Sequence, residues 1–302
     1  MFMDRLVGRI GELGSCVAVG LEPDVAGVPG RMKEDIFFSR GKTMEAVSRI
    51  VYRFNRAIID QVCDVVPAVL LQMAMYEQFG VPGVSCYIKT ADYARSKGLL
   101  VIGDVKRGDF PGAAYAYSGG HIGRVEIDGQ VHRVFDEDFI TVNPYMGSDA
   151  VLPFLEDCRN YGKGIFVVLR TANAGGADIQ DLMVESAGSA GVLPLYRYVG
   201  EMVDRWGRGM VGKHGFSSVG ALVSTASGEE ARLLRESMPY TFFLVPEGGS
   251  IDGMLNRKGL GALVYCSHSV TEAYQRPAYR SFGETGFAQA ARASVLDIAS
   301  QL

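Results

Sequence analysis

No apolar run in the 302 residues is long enough to cross a bilayer, which argues against a membrane partner. The first fourteen residues, MFMDRLVGRIGELG, alternate apolar and charged side chains and lack the unbroken apolar core of a signal peptide. They read instead as an amphipathic N-terminal helix over about 1–14. Histidine is scarce, and the four present are scattered without metal-ligand spacing, so no metal site is expected. The five cysteines (16, 63, 86, 158, 266) are odd in number and contain no C-x-x-C. That excludes a disulfide framework and fits a reduced, cytoplasmic protein with buried thiols. Positive charge is in slight deficit, giving a net −4 and a pI near 5.7. Nucleic acid and acidic membrane are therefore excluded as main partners.

What is present suits a sizeable core: 48% of residues are hydrophobic and 21% charged. Strand-like runs occur at 16–21, 68–73, 99–104, 139–142, 165–169, 219–224, 241–245 and 261–266. Helix-like segments separate most of them, at 44–63, 84–95, 150–161, 193–206, 229–237 and 284–299. In 44–63 the residues Val47, Ile50, Val51, Phe54, Ala57, Ile58 and Val62 recur with the helical period. This alternation predicts an α/β fold, a (β/α)8 TIM barrel in one domain over 1–302. Three long connections, about 23–41, 119–137 and 173–191, read as lids or binding loops.

Barrel chemistry sits on the C-terminal ends of strands. The stretch Leu99–Asp109, LLVIGDVKRGD, ends an apolar run in a burst of charge. Alternation along a strand sends Asp104 and Lys106 to one side, with Asp109 on the turn beyond. Other runs deliver Glu22, Gln72, Asn143, Thr171, Asn173, Ser267 and His268 to the same rim.

DVKRGD, TVNPYMGSDAVLPFLE (141–156), RTANAGGADIQDL (170–182), FFLVPEGG (242–249) and FNRAIID (54–60) together resemble the bacterial orotidine 5′-phosphate decarboxylases, in particular their longer, mycobacterial-type branch. The resemblance implies a homodimeric barrel without metal or organic cofactor. It implies removal of CO2 from orotidine monophosphate to give UMP, the last step of de novo pyrimidine nucleotide synthesis. Lys106 would protonate the ring carbon that loses CO2, and Asp104 would sit beside the departing carboxylate. Asp109 would serve the neighbouring subunit's site.

Against that pattern several ligand positions are substituted. Glu22 stands where the family has an aspartate for the ribose. Leu70 replaces the lysine of K-P-Q, although Gln72 remains. Ala113 replaces a Ser or Thr, and Ala172 removes the hydroxyl of T-S-N while leaving Thr171 and Asn173. Ile251 takes the place of a base- and phosphate-binding Gln. Ser267-His268 stands where S-R would grip the phosphate, and an imidazole does not reproduce the bidentate fork of a guanidinium. Two aspartates and one lysine carry net −1 where the family quartet is neutral. Three readings follow. The first is a working decarboxylase. The second is a divergent paralogue, a non-catalytic dimeric binding or scaffold protein, which the substitutions favour for activity. The third, and weakest, is a magnesium-dependent phosphosugar enzyme of the same superfamily.

Overall fold

The computed structural model describes residues 1–186, 191–225 and 227–302. Eight parallel strands close into a barrel in sequence order, each beside its successor and the last beside the first. They are β1 (Val17–Leu21), β2 (Ala68–Gln72), β3 (Leu100–Arg107), β4 (Phe139–Val142), β5 (Gly164–Arg170), β6 (Val219–Val223), β7 (Phe243–Pro246) and β8 (Ala262–Cys266). All eight predicted runs are strands, with 139–142 unchanged and the ends of the others moved by at most three residues. The largest change is at β3, which continues past Asp104 to Arg107 because Asn143 N donates to Arg107 O at 2.7 Å.

The chain divides into two compact units, Met1–Gly8 with Lys106–Val264 and Arg9–Val105 with Tyr265–Leu302. In the second unit the helix Met44–Val62 starts at Thr43, whose Oγ1 accepts from Ala46 N at 3.1 Å. Its stripe of Ile50, Val51, Phe54, Ile58, Ile59 and Val62 is buried, and Phe54 stacks on Phe287 at 5.0 Å. Asn55 on the same helix is also buried. It donates to Tyr76 Oη at 2.9 Å, and Tyr76 donates to Leu21 O at 3.2 Å. A buried amide thus ties the C-terminal end of β1 to the helix below it, which gives FNRAIID a structural reason.

In the first unit Arg235 gathers carbonyls. It donates to Met254 O, Met238 O, Pro239 O, Thr241 O and Gly261 O, at 2.7–3.2 Å. Burial among them pulls this guanidinium down to about 10, still charged at neutral pH.

The three long connections are not plain loops. Residues 23–41 contain the helix Gly30–Arg40, which has no buried residue and so no apolar stripe to announce it. Residues 119–137 hold the hairpin Val125–Ile127 and Gln130–His132, closed through Asp128 and Gly129 at φ 50° and 77°. Residues 173–191 hold the short helix Ala177–Gln180 and most of a second hairpin, Met183–Ser186 paired with Gly191–Pro194; 187–190 lie outside the described residues. That hairpin takes Leu193, so the following helix is Leu195–Gly207 rather than 193–206.

Candidate active site

In the second unit the register sets Gly20 beside Leu70, Leu70 beside Ile102, and Gln72 beside Asp104. Leu70 and Gln72 are two apart and share a face. Gln72 Nε2 donates to Asp104 Oδ2 at 2.7 Å, and Asp104 is 2% exposed. Leu70 is fully buried one row further into the strand. A lysine stem from that row would bring its ammonium to the level of the Asp104 carboxylate, where Gln72 now donates.

Gly20 leaves room for Ser267: a Cβ there would meet Ser267 Oγ at 2.1 Å. Tyr265, two residues earlier on β8, was not singled out from the sequence. Burial pushes its phenol far up, and the Asp104 and Glu22 charges push the same way, so it stays a neutral hydroxyl. Its signal was the polar tip inside the apolar run GALVYC. Glu22 lines a narrow cleft with Asn55, Thr271 and Glu272. His268 opens a short helix, and its Nδ1 lies 2.9 Å from Glu272 Oε1. The imidazole is exposed and already engaged by a carboxylate.

In the first unit Lys106 has φ 45°. A non-glycine residue in this left-handed region costs about 1–2 kcal/mol and persists only where its surroundings over-determine it. Lys106 N donates to Thr141 Oγ1 at 2.8 Å, which is part of that constraint. Asp109 Oδ1 accepts from Phe110 N at 2.8 Å, and Ala113 lies exposed on the next helix, Pro111–His121.

Asn143, Thr171 and Asn173 line one cavity of about 470 Å3 with Tyr145, Gln180, Leu195 and Tyr196. Gln180 holds the 171–173 loop: its Oε1 accepts from Thr171 N at 2.9 Å and its Nε2 donates to Thr171 Oγ1 at 2.8 Å. The Thr171 hydroxyl then donates to Asn173 Oδ1 at 2.6 Å. Sequence reading passed over Gln180, though it sits in GGADIQDL. Ala172 is exposed between the two polar residues. Ile251 is buried at 6% exposure and so is a core side chain. Among the described residues no group of three or more His, Cys, Asp or Glu could hold a metal ion. No helix among them is long and apolar enough to cross a membrane.

A closed parallel barrel with a buried carboxylate and a strained lysine at one strand end defines a TIM-barrel protein with its functional groups on the strand termini. Residues 53–193 match the orotidine 5′-phosphate decarboxylase / HUMPS family. The chain is 33% identical over 293 residues to orotidine 5′-phosphate decarboxylase of Caldicellulosiruptor bescii, covering 95% of this chain and 94% of that one. It is 35% identical over 305 residues to the Petrotoga mobilis protein of that name, covering 99% and 96%. The solved OMP decarboxylase of Leishmania donovani superposes with a TM-score of 0.68 at 24% identity, over 98% of both chains, and shows the same fold. This chain belongs to the orotidine 5′-phosphate decarboxylase / HUMPS family.

Proposed function

We propose that the chain decarboxylates orotidine 5′-phosphate to UMP in the cytoplasm. The bond from C6 to the carboxylate breaks, CO2 leaves, and the electron pair left on C6 takes a proton from the Lys106 ammonium. Asp104 crowds the departing carboxylate. Thr171 and Asn173 would meet the pyrimidine, Glu22 the ribose, and Ser267 and His268 the phosphate, with Asn143 and Gln72 as further substrate-binding residues. No metal and no organic cofactor takes part. The protein works as a homodimer in which Asp109 completes the partner's site.

The observation that carries this reading is the end of β3. Asp104 is buried there and Lys106 is held at a positive φ, a strain that folding alone does not require. Near-full-length relatives bearing the decarboxylase name support it. They do not favour the paralogue reading, whose basis is Leu70, Ile251 and His268.

Orotidine monophosphate loss followed by absorbance tests the proposal. Turnover is expected, and Lys106→Ala should remove it. A chain that neither turns over the substrate nor binds UMP would overturn the decarboxylase reading and leave the scaffold reading in its place.

A further inference from the structure

Arg107 follows Lys106 directly, and the mechanism gives it no task. Its guanidinium lies over the Tyr117 ring, 5.0 Å from the centroid. Its Nε donates to His121 Nε2 at 3.3 Å. Tyr117 and His121 are four residues apart on the helix Pro111–His121, hence on one face. His121 is 2% exposed, and its Nδ1 lies 3.0 Å from Oε1 of Glu137, which is fully buried.

Hydrogen-bond logic fixes the tautomer. A guanidinium N–H only donates, so Nε2 accepts, the ring proton is on Nδ1, and Nδ1–H donates to the Glu137 carboxylate. The ring is further held by stacking on Phe135 at 4.6 Å. The segment carrying Phe135 and Glu137 is zipped to the helix end, Phe135 N to Gly120 O at 3.0 Å and Glu137 N to His121 O at 3.1 Å. Lys163 Nζ then donates to Glu137 O at 2.7 Å. The acceptor offered to Arg107 is therefore fixed in position and in tautomer from several sides.

The main chain of the same two strand residues is also held. Lys106 N reaches Thr141 Oγ1, and Arg107 O receives Asn143 N. Of these two residues only Lys106 has a positive φ.

We propose that Glu137, His121 and Arg107 form a positioning relay that clamps the end of β3 and keeps Lys106 in its left-handed conformation, aiming the ammonium at the reacting carbon. The catalytic half of the proposal rests on the decarboxylase reading; the structural half does not. Carboxylate, imidazole and guanidinium act in series, each fixing the next. Lys106 touches substrate, and the other three act through it.

Two variants test the relay. His121→Phe keeps the ring and its stacking but removes both nitrogens. Arg107→Met keeps the stem and leaves the His121–Glu137 pair intact, so it guards against a folding failure of the first. Two readouts are taken: amide hydrogen exchange at Lys106 and Arg107, and kcat set against the Kd for UMP. Both variants should exchange faster by about tenfold or more at these amides. Both should lose about tenfold or more in kcat while UMP affinity stays within about twofold. A role limited to stability would lower the melting temperature and leave kcat unchanged. Unchanged exchange at Lys106 overturns the relay, and faster exchange with unchanged kcat overturns its catalytic half. If the wild-type chain shows no turnover, the decarboxylase reading fails and the exchange measurement decides the relay by itself.

Discussion

At Asp136 a backbone constraint and an ion pair fall on one residue. It has φ 55°, which Asp and Asn tolerate better than most side chains. Its Oδ1 lies 3.1 Å from the Nζ of Lys163, and Arg133 and Arg124 approach at 3.2 and 3.4 Å. Burial acts to raise this carboxyl, yet Lys163 and Arg133 outweigh it and hold it below the ordinary carboxylate value. A depressed folded value means the stabilisation is complete above the unfolded value of about 4 and is lost as pH falls through the folded one. Asp136→Asn keeps the backbone and removes the charge. Urea unfolding should show it weaker by about 2 kcal/mol at pH 7, with the gap closing toward pH 3. A gap that stays constant with pH would mean the charge is not what matters. Leu70 raises the opposite question, what a missing charge costs. Leu70→Lys combined with His268→Arg restores the family's cations, and a hydrogen bond to a charged group contributes about 1.5–3 kcal/mol. UMP should then bind about tenfold tighter or more by calorimetry. No gain would show that Leu70 is not the family's lysine position.

Among the elements, the hairpin at 125–132 makes a clear trial of local chemistry. Asp128 and Gly129 both have positive φ, as a type I′ turn demands, and the strands they join are largely exposed. Little packing therefore holds the hairpin, and the turn must do so. Gly129→Val should open it, seen as faster cleavage between 125 and 132 by a trace protease, with the melting temperature of the rest unchanged. Equal cleavage would mean that flanking contacts hold it. Asp-Gly is a strong hairpin signal that was present in VEIDGQVH and passed over, because both strands lack the alternation of a half-buried sheet. The helix Gly30–Arg40 was illegible for a firmer reason: with no residue buried it carries no period to read. The eight barrel strands were legible because each is a short apolar run ended by polar or turn residues, with both faces covered. At the site, the DVKRGD residues could be read from the pattern. Tyr265 left only the faint signal of a polar tip in an apolar run, and Gln180 left none, since its importance lies in what folding sets beside it, Thr171.

For the whole molecule the open question is whether one chain makes a complete site. Phe110, next to Asp109, is 72% exposed, and Tyr145, beyond the Asn143 strand end, is 78% exposed. Tyr115, Met146 and Leu152 add further exposed apolar surface on or beside the helices Pro111–His121 and Ser148–Tyr161, which pack against each other. An apolar face of this kind beside functional residues suits a second copy of the chain. On the proposed function each site of such a dimer would take Lys106 from one subunit and Asp109 from the other, and mixing tests it. Lys106→Ala and Asp109→Ala should each be nearly inactive as homodimers. After the two are unfolded together in equal amounts and refolded, half the dimers are mixed. Each mixed dimer has one site with both mutations and one with neither, so about a quarter of wild-type activity should return. If Asp109 acted within its own subunit, no intact site would form and the mixture would stay as inactive as its parts. Phe110→Asp should halve the sedimenting mass and remove the activity with it, because a monomer keeps Lys106 and lacks the carboxylate meant to face it.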